Sequence, residues 1–160
     1  MTDVRALLDD LRRRSDCVIH DPAGAPITAP KHNLPDDLAT FYALCGGLAF
    51  RTPPPMCLVA PSRFLPINEV VLGEQFPDDA SAGWYLLAES DASASAERIS
   101  IDLRHGYEGW CYESFWDRHG VAGSMSIVSR SFTTFLARLS AEGIFWTAEG
   151  FIPLGDAYDA

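Results

Sequence analysis

The hydrophobic period changes along this chain, and that change limits its fold more than any other feature. Near the N-terminus Val4, Leu7, Leu8 and Leu11 recur at i, i+3, i+4 and i+7, one stripe of a 3.6-residue helix. In the middle, Ile99, Ile101 and Leu103 alternate with Arg98, Ser100 and Asp102, the period of two expected of a strand in an antiparallel or one-side-wet sheet. Later, Phe132, Phe135, Leu136 and Leu139 restore the helical stripe. Helices on either side of a run of strands predict an α+β domain.

The first helix is expected over residues 2–14, with Thr2 capping it and Arg12, Arg13 and Arg14 at the end where cations suit the dipole. The Pro/Gly/Ala-rich stretch over 21–33 reads as a loop. A second helix starts at Pro35, with Asp36 and Asp37 in its first turn and Leu38, Phe41, Tyr42 and Cys45 as its buried stripe. Gly46 and Gly47 end it, one of them expected at positive φ as its C-cap, and Pro53, Pro54 and Pro55 bar regular structure further on.

Strands are expected at 84–88 and 98–103, joined by a hairpin loop through the small, polar 90–96 stretch, with a short one at 125–128. A third long strand is expected over 107–116, carrying Trp110, Tyr112 and Trp116 on one face and Tyr107 and Phe115 on the other. The last helix runs from Phe132 to Leu139, capped by Ser131 and stopped near Gly143. Phe145, Trp146, Phe151 and Ile152 suggest a tail over 144–160 that partly packs on the core. No internal repeat or linker divides the chain, so residues 1–160 read as one domain. At that length a folded chain buries roughly 70% of its unfolded surface.

Charge narrows the partners. Twenty-two acidic against 12 basic side chains leave a formal charge of -10, which repels nucleic-acid phosphates and anionic membranes and favours a basic protein. Solubility alone also explains an acidic surface. No basic n-region precedes an apolar stretch at the N-terminus and no apolar run reaches the about 20 residues that span a bilayer. The expected location is the cytoplasm, with Cys17, Cys45, Cys57 and Cys111 reduced.

No catalytic, cofactor-binding or metal site is expected. Gly-x-Ser-x-Gly, Gly-x-x-x-x-Gly-Lys-Ser/Thr and Gly-x-Gly-x-x-Gly are all missing. His105, Cys111 and His119 are the nearest approach to a ligand set, and their spacing is loose. Asp36 and Asp37 suit a helix start, and Asp78 and Asp79 a loop, better than an acid/base pair. The Trp110, Tyr112 and Trp116 face, flanked by Glu108 and Asp117, has two readings, core or the aromatic centre of an interface. Candidate partner contacts are Asp78, Asp79, Asp91, Asp102, Glu108, Trp110, Tyr112 and Trp116.

Three segments together resemble the SUKH superfamily, which includes a fungal cell-wall assembly regulator and many bacterial immunity proteins. The first is the helix Leu34-Pro35-Asp36-Asp37-Leu38-Ala39-Thr40-Phe41-Tyr42-Ala43-Leu44-Cys45-Gly46-Gly47. The second is the strand pair from Trp84 to Asp102, and the third the closing Ser131-Phe132-Thr133-Thr134-Phe135-Leu136. Leu34, Pro35, Phe41, Tyr42, Gly46, Gly47, Trp84, Phe132 and Phe135 are the motif positions. The family's Gly-Asp before the second strand is replaced here by Ala96-Glu97.

The resemblance implies a central antiparallel-rich sheet flanked by helices and a non-enzymatic, cofactor-free binding role. The partner would be the toxin domain of a polymorphic toxin system, expected to be basic, which the chain neutralises as an immunity protein. Alternatives are a regulatory scaffold for an endogenous partner and, behind it, a small hydrolase or transferase.

Overall fold

A computed structural model of the chain describes residues 3–51, 55–142 and 153–159. Seven strands form one sheet: β1 (Cys17–Ile19), β2 (Leu48–Phe50), β3 (Met56–Leu58), β4 (Trp84–Glu89), β5 (Arg98–Asp102), β6 (Cys111–Glu113) and β7 (Ile127–Ser129). Their spatial order is their chain order, and every neighbouring pair is antiparallel. Four helices accompany them: α1 (Val4–Arg12), α2 (Asp36–Leu44), α3 (Ile67–Leu72) and α4 (Phe132–Glu142). The class is α+β, as the changing period predicts.

Helices α1, α2 and α4 pack on one another. Val4, Leu7, Leu8 and Leu11 are the buried stripe of α1, as read from their spacing. Its cap is Asp3 rather than Thr2: the Asp3 carboxylate accepts from the Ala6 amide at 2.8 Å. Pro35 stands just before α2 with ψ 152, so the first helical residue is Asp36. The second carboxylate, Asp37, bonds across the layer, accepting from the Thr133 amide and hydroxyl at 2.8 Å each. It thus satisfies a free amide at the start of α4, where an anion also suits the helix dipole. Ser131 accepts from the Thr134 amide as expected. The stop near Gly143 and the apolar tail positions Phe145, Trp146, Phe151 and Ile152 lie outside the described residues.

The glycine pair works differently from a helix C-cap. Cys45 ends α2 in an extended conformation with φ -155, and only Gly47 is left-handed, at φ 102. There a Cβ would sit 2.6 Å from the Leu58 carbonyl oxygen, and a Cβ on Gly46 would run into that of Asp21. Both glycines therefore permit close backbone approach beside the β1–β2 pair.

Strand β5 lies in an antiparallel sheet, as its alternation predicts, but neither of its faces is wet. All of β4, β5, β6 and β7 is buried. The alternation is real, but its polar side is covered. Arg98 is 2% exposed and Ser100 and Asp102 are fully buried. Ser100 bonds Ser114 at 2.7 Å, and Arg98 bonds Glu89 at 3.1 Å and the Ser93 carbonyl at 2.7 Å. Buried polar groups survive only when hydrogen-bonded in this way. The 90–96 stretch is the expected β4–β5 hairpin connection, and the Ala96-Glu97 replacement fits it: Glu97 donates its amide to the Ser90 hydroxyl and accepts from the Ser90 amide.

The long third strand is also corrected. Gly106 and Gly109 take φ 88 and 92, and the chain turns twice, Tyr107 bonding Arg104 and Trp110 bonding Tyr107. Only Cys111–Glu113 remains a strand. Trp110, Tyr112 and Trp116 consequently do not form one exposed face. Residues 153–157 run along the outer edge of β7, with bonds from Ile127 to Gly155 and from Ala157 to Met125.

Candidate partner-binding surface

Two polar clusters lie beside Trp84. In the first, the fully buried Asp102 carboxylate accepts from Trp84 Nε1 at 3.0 Å, from the Tyr112 hydroxyl at 2.7 Å and from Arg104 at 2.7 Å. Burial, with Asp102 alongside, holds the Tyr112 phenol well above its usual range, so the proton stays on Tyr112 and donates. Asp102 and Tyr112 are therefore internal supports, not rim contacts as their sequence positions suggested. Their burial follows from β5 and β6 being covered on both sides.

The second cluster ties α3 to two connections. Asn68 on α3 donates to the Ser81 hydroxyl at 2.8 Å, and its Oδ1 lies 2.6 Å from His119 Nε2. That Oδ1 can only accept, so Nε2 carries the proton, and Nδ1 is left buried without a hydrogen-bond partner among the described residues. Burial lowers the His119 pKa to about 4. Burial opposes the ionised form of Asp79, yet bonds from Ser81 and Tyr158 hold it below the usual carboxylate range. Both His119 and Tyr158 also pack against the Trp84 ring.

This cluster contains Ser, His and Asp, but Asn68 stands between Ser81 and His119. A serine nucleophile needs its base within hydrogen-bond reach, and that geometry is not assembled here. Burial raises Cys17 to about 11 and Cys111 to about 12, which keeps both as thiols rather than reactive thiolates. His105 is a fully exposed side chain whereas Cys111 and His119 are buried. Among the described residues no cluster of three or more His, Cys, Asp or Glu side chains could hold a metal ion.

What the second cluster holds outward is apolar. Trp116 is 55% exposed and Val121 52%, flanking His119 in one connection. Leu72 at the end of α3 is 44% exposed, and Phe76 beyond it 42%. Trp110, in contrast, is half-buried, with the Arg130 guanidinium 5.1 Å above its ring and Tyr107 edge-on at 5.2 Å. Of the candidate aromatics, Trp116 is the one on open surface.

The candidate acids divide. Asp78 is exposed, and Asp79 is exposed but bonded inward. Asp91 is exposed in the β4–β5 connection and accepts from the Ser93 amide. Glu108 is exposed, accepts from the Gly106 amide and lies 3.4 Å from His105. Leu72, Phe76 and Val121 were not singled out by sequence reasoning. One signal was available: from Phe64 through Glu97 the chain has seven acidic residues, Glu97 included, and no lysine or arginine.

Comparison with known proteins decides the family. No protein-family model matches the chain, and no solved structure does. Over 158 residues it is 34% identical to the Immunity protein YokJ of Bacillus subtilis strain 168, a match covering 96% of this chain and 94% of that one. The chain belongs to the family of that immunity protein. The match runs nearly end to end.

Proposed function

We propose that this chain is an immunity protein that neutralises a toxin by binding it directly, with no catalytic step. The observation that carries the reading is the near full-length likeness to a protein named for immunity. The charge of -10 supports a basic toxin domain as partner, since complementary charge speeds encounter. Among the described residues no helix is long and apolar enough to cross a membrane, in keeping with action in the cytoplasm. The order of the Leu34–Gly47 helix, the Trp84–Asp102 strand pair and the Ser131–Leu136 helix start supports SUKH membership. In that frame Trp84 and Asp102 are a structural pair joined by a hydrogen bond.

The test is co-expression with the toxin encoded beside its gene. Cells making both proteins should grow, and the purified pair should elute together as a stoichiometric complex. Protection by a chain that does not bind the toxin would overturn direct neutralisation and move the reading to regulation or enzymology.

A further inference from the structure

We infer that the toxin docks on the corner built by α3, the 73–81 connection and the 114–124 connection, with Trp116 as the central anchor. This rests on the immunity reading and names the surface it uses. The bonds already described bring the three segments to one place. Leu72 is one helical turn, roughly 6 Å, beyond Asn68. Trp116 and Val121 are three and two residues from His119, whose ring meets Asn68 at 2.6 Å. Phe76 accepts from the Asp79 amide at 3.0 Å, and Asp79 is bonded to Ser81, which accepts from Asn68. A residue spans at most about 3.6 Å of chain, so all four apolar side chains start close to one polar knot.

Single exposed apolar residues are ordinary, whereas a cluster with a polar rim marks a contact site. Tryptophan is among the residue types that most often carry binding energy.

Charge selects the occupant. Glu69, Glu74, Asp78 and Asp79 are exposed around this corner, in a stretch of chain from Phe64 to Glu97 without a cation. The arginines that flank this stretch, Arg63 and Arg98, both pair with Glu89, and Arg118 in the 114–124 connection lies over the Phe115 ring and beside Asp117. A basic protein surface with an apolar pocket complements this arrangement, and nucleic acid or an anionic membrane does not.

Surface plasmon resonance with the toxin domain encoded by the adjacent gene tests it. Trp116→Ala and Phe76→Ala should each weaken affinity at least thirtyfold, mainly through faster dissociation, and Trp116→Phe should recover most of the loss. Paired Glu74→Lys and Asp78→Lys changes should slow association at least fivefold at low salt. Ile27→Ala, 91% exposed in the connection before α2, serves as the control and should change nothing. Unaltered melting temperatures separate these effects from misfolding. Tight binding by the wild type that all the corner variants retain within threefold would overturn this surface and leave the immunity reading standing. No binding by the wild type would overturn both.

Discussion

His119 carries a stability consequence of its own. Its imidazole is buried among Asn68, Trp84 and Asp79, and burial lowers its pKa to about 4. An unfolded histidine titrates near 6.5, so between those values the unfolded chain binds the extra proton. Stability from this residue is therefore fully present above about pH 6.5 and is lost as pH falls towards 4. The shift corresponds to roughly 3 kcal/mol. Urea unfolding at pH 7 and pH 4.5 should show a loss of that order, and His119→Gln should flatten this part of the pH profile. An unchanged profile in the variant would remove His119 as the cause. Little of this was legible in the sequence, where His119 was one of four scattered histidines. Asp102 was equally opaque. Alternation told which side of β5 it occupied, but not that Trp84, Tyr112 and Arg104 would cover it.

Among the elements, length decided what could be read. The nine-residue α1 and α2 and the eleven-residue α4 each complete more than two turns, enough for a 3.6-residue stripe to show. Strands β1, β2 and β3 have three residues each, too few for any period, and none was foreseen. The six-residue α3 escaped for the same reason, and with it half of the docking corner. The misread strand over 107–116 failed through its glycines: aromatic density suggested a strand where Gly106 and Gly109 turn the chain. Glycine chemistry also yields a prediction for the α2–β2 junction. Gly47→Val imposes a β-branched side chain on φ 102 and drives its Cβ against Leu58 and Val59 backbone atoms. The expected destabilisation exceeds about 2 kcal/mol, combining left-handed strain with overpacking. Thermal melts with Gly47→Val and, as a comparison, Gly73→Val would show it. Gly73 is equally left-handed but has open space around it, so it should suffer the strain alone.

For the whole molecule, acidity is uneven, and the unevenness governs encounter. The arginines at 12–14 share their end of the chain with Asp9, Asp10 and Asp16, and pair with them. The Phe64–Glu97 stretch has no cation of its own, and although Glu89 is paired with the flanking Arg63 and Arg98, Glu69, Glu74 and Asp78 stand exposed. Raising salt from 0.01 to 0.15 M shortens the Debye length from about 30 to about 8 Å. Stopped-flow association with the toxin domain should slow about tenfold or more over that range, while dissociation changes little because buried anchors control it. Association that ignores salt would exclude charge steering.

The sheet whose strands sit in chain order has a last consequence, for how the protein is made. Each strand emerging from the ribosome finds its only earlier partner already synthesised beside it, so hairpins can add one at a time with short loops to close. The helical layer cannot grow that way. α1 is made first, yet it packs on α4, which comes after all seven strands. Until α4 arrives the apolar stripe of α1 lacks part of its cover, and the nascent chain stays open to misassociation. Closure of the helical layer is therefore a late step, taken when α4 reaches α1.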